Sequence, residues 1–156
     1  MPLTYELRPA VAEDVGVTYE VTREAMKPYV EATWGKWEEH EQVVKHRQNF
    51  QPETHRLVLV GPEVAGLVAV EEEADYLWLV KLYLRVAYRS QGLGTALLRQ
   101  VIQEAEDMRK PTRLRVLKAN PRAKALYLRH GFQVVGQEAE RYFLVRPQSG
   151  ACARSS

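Results

Sequence analysis

The run Arg89-Ser90-Gln91-Gly92-Leu93-Gly94-Thr95 stands at a change of period, and that junction constrains the fold more than any other stretch of the chain. Before it, Tyr76 to about Leu84 is almost continuously apolar except for Lys81, the pattern of a strand covered on both faces. After it, Leu93, Leu97, Val101, Ala105 and Met108 recur at helical spacing, which predicts an amphipathic helix from Gly92 to about Met108. Two glycines between such elements let the backbone curl closely. They expose several N–H groups at the positive end of a helix dipole, which suits a phosphate or pyrophosphate. Arg89 can add charge-assisted hydrogen bonds. The same glycines also fit a bare strand-to-helix turn, and the junction alone leaves both readings open. A Walker loop requires Lys-Ser/Thr after the glycines, where this chain has Thr95-Ala96. A dinucleotide fingerprint requires glycine at the position of Leu97 and an acidic residue after a second strand, and neither is present.

Around the junction, Tyr5–Pro9 alternates as a first strand, and Glu13 and Asp14 favour a helix start, with the helix running to about Met26. Pro28 and Gly35 punctuate Lys27–Trp37, and a second helix is predicted over Glu38–Asn49. Arg56–Val60 and Val64–Val70, joined by Gly61-Pro62-Glu63, read as a hairpin. Arg113–Leu117 predicts a strand, and Asn120 with Pro121 opens a helix to about His130 that Gly131 ends in a left-handed conformation. Phe132–Val135 and Tyr142–Val145 read as two last paired strands. Strands first come in succession and later alternate with helices, so the sheet is expected to be mixed, in an α/β (α+β) domain. The 156 residues, with 46% hydrophobic and 27% charged side chains, suit one domain, taken here as 1–146 with a disordered tail over 147–156. No apolar run reaches the roughly 20 residues of a membrane helix, the N-terminus lacks a signal-peptide pattern, and a cytoplasmic location is the default expectation. Cys152 is the single cysteine and His40, His46, His55 and His130 form no ligand pair at helical spacing, so no metal site is expected.

A net charge of +2 conceals a division at Asp75: residues 1–75 carry 15 acidic and 7 basic side chains, residues 76–156 carry 5 and 15. Between Met108 and Gln137 there is no Asp or Glu, while Arg109, Lys110, Arg113, Arg115, Lys118, Arg122, Lys124 and Arg129 are all present. An anionic ligand is one reading of this stretch, and solvated faces of helices and strands are the other.

A second motif follows the first. Arg89-x-x-Gly92-x-Gly94 after a strand, then Asn120-x-x-Ala123-x-x-Leu126-Tyr127-x-x-x-Gly131-Phe132, resembles the GNAT superfamily of acetyl-CoA-dependent N-acetyltransferases. The resemblance covers Leu3 to about Arg146 in the order of its elements and is tight from Leu82 to Phe132. It implies one domain with a mixed sheet of about six to seven strands flanked by about four helices. It also implies that the loop Arg89, Ser90, Gln91, Gly92, Leu93, Gly94 and Thr95 holds the pyrophosphate of coenzyme A by its amides. Leu82, Tyr83 and Leu84 would pair through their backbone with the pantetheine arm, as an added strand does. Asn120 would contact the pantetheine and Tyr127 the thioester sulfur, where it would protonate the departing thiolate, a backbone N–H near Leu84 stabilising the oxyanion.

The chain departs from the family at the general base. Many members carry a Glu on the strand before the loop, whereas Tyr76–Leu84 has no carboxylate and has Lys81 instead. A water chain, Glu31 or Glu38 are the alternatives. Tyr29, Glu31, Trp34 and Trp37, aromatic faces with a carboxylate, are candidates to line a pocket for a cationic primary amine, and packing of the helix junction is the competing role for Trp34 and Trp37. The expected partners are acetyl-CoA and an amine acceptor, with no membrane, no metal and no nucleic acid, and the resemblance is compatible with a homodimer. Two other readings stay open: a non-catalytic acetyl-CoA sensor, motivated by the missing carboxylate, and a nucleic-acid-binding protein using Arg109–Arg129, which lacks any helix-turn-helix or RNA-binding pattern.

Overall fold

The computed structural model describes residues 4–149. Residues 150–156, with Cys152 and most of the expected tail, lie outside that range. The elements run β1 (Glu6–Pro9), α1 (Val15–Trp34), α2 (Glu39–Asn49), β2 (His55–Val60), β3 (Glu63–Glu72), β4 (Leu77–Leu84), α3 (Leu93–Asp107), β5 (Thr112–Leu117), α4 (Pro121–Arg129), β6 (Gln133–Gln137) and β7 (Arg141–Arg146). Among the described residues four α-helices accompany one mixed sheet of seven strands in the order β1-β2-β3-β4-β5-β7-β6. Pairing is antiparallel for β1–β2, β2–β3, β5–β7 and β6–β7. It is parallel for β4–β5, with Leu77 opposite Thr112 and Trp78 opposite Arg113. Among the described residues no helix is long and apolar enough to cross a membrane.

The chain divides into two compact units, one up to Ala69 with Lys81–Gly94, the other Val70–Val80 with the chain from Thr95 on. In the first, Val21 of α1 packs on Leu57 of β2 and Leu67 of β3, all three fully buried, with Val17, Leu59, Val64 and Tyr83 around them. Each such side chain contributes on the order of 2 kcal/mol by leaving water. In the second, Leu97, Leu98, Val101 and Ala105 form the buried stripe of α3, and Leu114, Val116, Leu117, Phe132 and Leu144 are buried on the strands and the turn after α4. Met108, expected on the α3 stripe, is 39% exposed and follows the helix end. The chain remains attached just past β7, where the Ser149 N–H donates to Glu106 Oε1 at 3.1 Å.

The first helix departs from its expected length. It continues through Pro28 to Trp34 and stops at Gly35, whose φ of 88° and N–H to the Glu31 carbonyl at 2.8 Å form a left-handed cap. Proline at an exposed position forfeits one hydrogen bond, to the Glu24 carbonyl. The turns on either side are complete, so the stop comes where glycine permits the left-handed residue rather than at the proline.

Candidate functional site

The junction after β4 has a backbone that few sequences could adopt. Ser90 has φ 61° and Gly92 has φ 84°, two left-handed residues separated by one, and α3 begins at Leu93. Left-handed residues alternating with ordinary ones turn successive N–H groups to one side, the concave arrangement that takes an anion oxygen, and here it opens onto the first turn of a 15-residue helix. Leu93 is buried and anchors the helix start, while Ser90, Gln91 and Gly92 are exposed. Arg89 donates from Nε to the Leu84 carbonyl at 3.1 Å, and Gln91 Nε2 donates to the Ala87 carbonyl at 2.9 Å. Both side chains therefore brace the loop shape, and the terminal nitrogens of Arg89 extend beyond that brace. The group fits a pyrophosphate through backbone donors, and Gly94 lies in the first helical turn, where an added Cβ would stand 3.6 Å from Leu84 Cδ1.

The end of β4 that precedes this loop is fixed from below by Gly66 of β3. A Cβ there would collide with the Tyr83 carbonyl and come within 2.9 Å of Leu84 Cδ2. Gly66 lies opposite Val58 at a register shift between Val58 and Leu59, so a bulge and a bare backbone together let Tyr83 and Leu84 sit close. The sequence carried the signal as an isolated glycine within a strand pattern, but gave it no role there.

In the other unit, Asn120 is the N-cap of α4, its Oδ1 accepting from the Ala123 N–H at 3.2 Å, with Pro121 in the first turn. That leaves the Asn120 carboxamide nitrogen as the donor the cap does not use. At the far end, the Phe132 N–H donates to the Tyr127 carbonyl at 3.1 Å and the Gly131 N–H to the Leu128 carbonyl at 3.3 Å, with Gly131 at φ 90°. This is a Schellman ending, and its customary apolar contact is Phe132 edge-on to Tyr127, ring centroids 5.6 Å apart. Tyr127 is 8% exposed, so its ring is held by the same cap that ends the helix. Of the basic stretch, Lys110 pairs with Glu72 at 2.8 Å, Arg113 lies over Tyr76, and Lys118 and Lys124 both lie over Tyr142. Those four cations have partners within the fold.

Of the acceptor candidates, Tyr29, Glu31 and Trp34 fall on the last two turns of α1, and Trp37 follows its end. Glu31 and Trp34 are exposed and three residues apart, on neighbouring faces, whereas Tyr29 is half-buried on another face. Trp37 is buried, and its indole N–H donates to Glu39 Oε2 at 2.9 Å and to the Tyr19 hydroxyl at 3.3 Å, which is packing of the helix junction. Glu38 pairs with Lys36.

The same unit holds a basic cluster that the search for metal-ligand spacing passed over. His46 of α2 stacks on Phe50 and meets Tyr19 edge-on, and Phe50 meets His55 of β2 edge-on at 5.0 Å. Thr18 donates its hydroxyl to the Asp14 carbonyl at 2.8 Å, so the 3.0 Å contact to His46 Nε2 requires the proton on that nitrogen. His55 Nδ1 lies 2.7 Å from the Gln51 carbonyl and carries its own proton, which leaves Nε2 as a bare lone pair. That Nε2 is buried and has no hydrogen-bond partner. Burial, with the Lys81 charge nearby, pushes both imidazoles down to about 4, and burial lowers the Lys81 amine below its ordinary value.

Comparison with known proteins agrees with this geometry. The family model described as acetyltransferase (GNAT) family matches residues 19–132. Among solved structures, an acetyltransferase from Thermus thermophilus is 25% identical, with a TM-score of 0.75 over 93% of this chain and 97% of that one. The PaiA N-acetyltransferase of Thermoplasma acidophilum, solved in complex with coenzyme A, is 19% identical, with a TM-score of 0.75 over 93% and 99%. The ribosomal-protein-S18-alanine N-acetyltransferase of Escherichia coli is 19% identical, with a TM-score of 0.72 over 94% and 95%. No curated protein matches the chain in sequence. The match of the family model to residues 19–132, most of the sequence and including the strand-to-helix loop with its two left-handed residues, places this chain in the GNAT family of acetyltransferases.

Proposed function

We propose that the protein transfers an acetyl group from acetyl-CoA to a primary amine by direct attack, with no acyl-enzyme, and that Tyr127 protonates the departing thiolate. The observation that carries this reading is the loop with left-handed Ser90 and Gly92 at the start of α3. Its amides, with Arg89 and Thr95, hold the pyrophosphate, and Leu82, Tyr83 and Leu84 offer backbone groups to the pantetheine amides. Asn120 contributes the carboxamide donor that its cap leaves over. Acetyl-CoA supplies an activated acyl group whose leaving thiol has a pKa near 8.5, so the acid is needed for about 10² to 10⁴ in rate and positioning supplies much of the remainder. A backbone N–H near Leu84 stabilises the oxyanion. Glu31 and Trp34, on neighbouring faces at the end of α1, are the proposed contacts of the acceptor, and Tyr29, on another face, would reach it only from the side.

The test is free-thiol release from acetyl-CoA against amines, polyamines, aminoglycosides, amino acids and short peptides, with coenzyme A binding measured by calorimetry alongside. Release with one acceptor class establishes the transfer and names the pocket's chemistry. Binding without release for the whole panel supports a sensor instead, and absence of binding removes the loop assignment.

A further inference from the structure

Lys81 is a half-buried lysine that no carboxylate pairs with among the described residues. It alternates with Tyr83 along β4, so the two share the face on which Tyr83 packs against Val21, Leu57 and Leu67. The other groups around it are His46 from α2, His55 from β2, Tyr19 and Thr18 from α1, and Glu53 just before β2, which acts on His55. Hydrogen bonding fixes both histidines as neutral tautomers, and the His55 Nε2 lone pair is left without a donor. A fold that retains a buried lone pair and a half-buried amine without a carboxylate partner sustains a cost that well-packed apolar side chains would avoid. Such a cluster, in which the Glu53 carboxylate acts on His55 and none is paired with Lys81, is suited to receive a proton.

We propose that Lys81 takes the proton from the acceptor's ammonium group, and that His55 Nε2 accepts a hydrogen bond from the Lys81 ammonium once it forms. The inference rests on the transferase reading above. The N–H bond of the ammonium breaks and its proton joins the Lys81 Nζ lone pair. The freed amine then forms the C–N bond, the C–S bond breaks, and the second amine proton reaches the thiolate by way of Tyr127. Lys81 returns its proton to water after turnover. Lys81 lies three residues before Leu84, about 10 Å along an extended strand, a gap that a lysine side chain and one acceptor nitrogen can bridge. Burial lowers its basicity, which makes a free amine more available than on an ordinary lysine.

The first test needs no acceptor: the ε-carbon of Lys81 is titrated by NMR in the full chain with coenzyme A bound. A midpoint below that of ordinary lysines is expected, and a midpoint at or above it overturns the proposal. His55→Leu removes the lone pair and is expected to move the midpoint lower still, and an unchanged midpoint refutes the part given to His55. The second test follows thiol release with phenethylamine, spermidine and a short peptide across pH. Lys81→Met is expected to lower kcat/KM at neutral pH by about 10²-fold or more, with the loss shrinking as pH passes the acceptor's own pKa and the KM for acetyl-CoA unchanged. Lys81→Arg, which keeps charge but cannot release a proton, is expected to be as slow. A variant that keeps the wild-type profile refutes this inference alone. Wild-type protein that binds coenzyme A and releases no thiol with any of the amines refutes the transferase reading, and this inference with it.

Discussion

At the scale of single residues, Tyr127 and Lys81 illustrate opposite uses of burial. Tyr127 is fixed by an ordinary structural device, a helix cap whose apolar contact is Phe132, so its hydroxyl has a defined place before any substrate arrives. Tyr127→Phe should therefore leave the fold and the KM for acetyl-CoA nearly unchanged while lowering kcat by about 10² or more, and equal kcat in steady-state assays would remove it as the acid. Gly131→Ala strains the same cap through a φ of 90° and brings a Cβ to 3.4 Å from Arg146 Nε. It should cost about 1 kcal/mol or more of stability, read from the urea midpoint. Lys81 is held in place at an energetic cost. Its folded pKa lies below its unfolded one, so the contribution of the neutral amine is full only above the unfolded value of 10.5 and is lost as pH falls below it. Lys81→Met should thus stabilise the protein at pH 7 by on the order of 1 kcal/mol, a gain that fades above about pH 10.5. A destabilised variant in urea melts at pH 7 would contradict the direction.

At the scale of elements, much was legible because the decisive signals are local. The α3 stripe, the Asn120-Pro121 start, the Gly131 stop and the hairpin at Gly61 each depend on a few neighbouring residues, and the structure has all of them. The length of α1 was not legible, since Pro28 looks like a stop and only the complete turns on either side show that one missing hydrogen bond is tolerated. The part of β3 in the candidate site was hidden for a different reason. Gly66 matters through Tyr83 and Leu84, seventeen and eighteen residues away in sequence, and no local pattern reports a collision across strands. Gly66→Ala must push the end of β4 away from β3. It should weaken coenzyme A binding by calorimetry about tenfold or more while costing on the order of 1–3 kcal/mol in stability. Unchanged affinity would mean that the edge offered to the pantetheine lies elsewhere. Gly92→Val acts on the neighbouring loop, where φ 84° excludes a branched side chain, and should weaken the same binding.

At the scale of the molecule, charge reads differently in the fold than along the chain. The sequence divides into an acidic and a basic half, yet the groups with the largest titration shifts are His46 and His55, both in the sequence-acidic part, and Lys81, whose amine is also lowered, lies at its border. Sequence could not find them, because the spacing test asks for metal ligands while these three meet through α2, β2 and β4. Their shared consequence is a pH dependence of folding. Both histidines sit at about 4 in the fold, against 6.5 in an unfolded chain, so between those values the unfolded state binds more protons. Stability is then full above about pH 6.5 and falls as pH drops toward 4, flattening below it. A shift of this size at one site corresponds to on the order of 3 kcal/mol, and the two sites add less than twice that, since a proton on one imidazole opposes a proton on the other. The expected result is a marked fall in the urea midpoint from pH 7 to pH 4.5 that is reduced in His55→Leu, where the buried lone pair is gone. Midpoints that stay level across that range in the wild type would show that the cluster opens to water, and with it would go the reason for Lys81 to be a weak base.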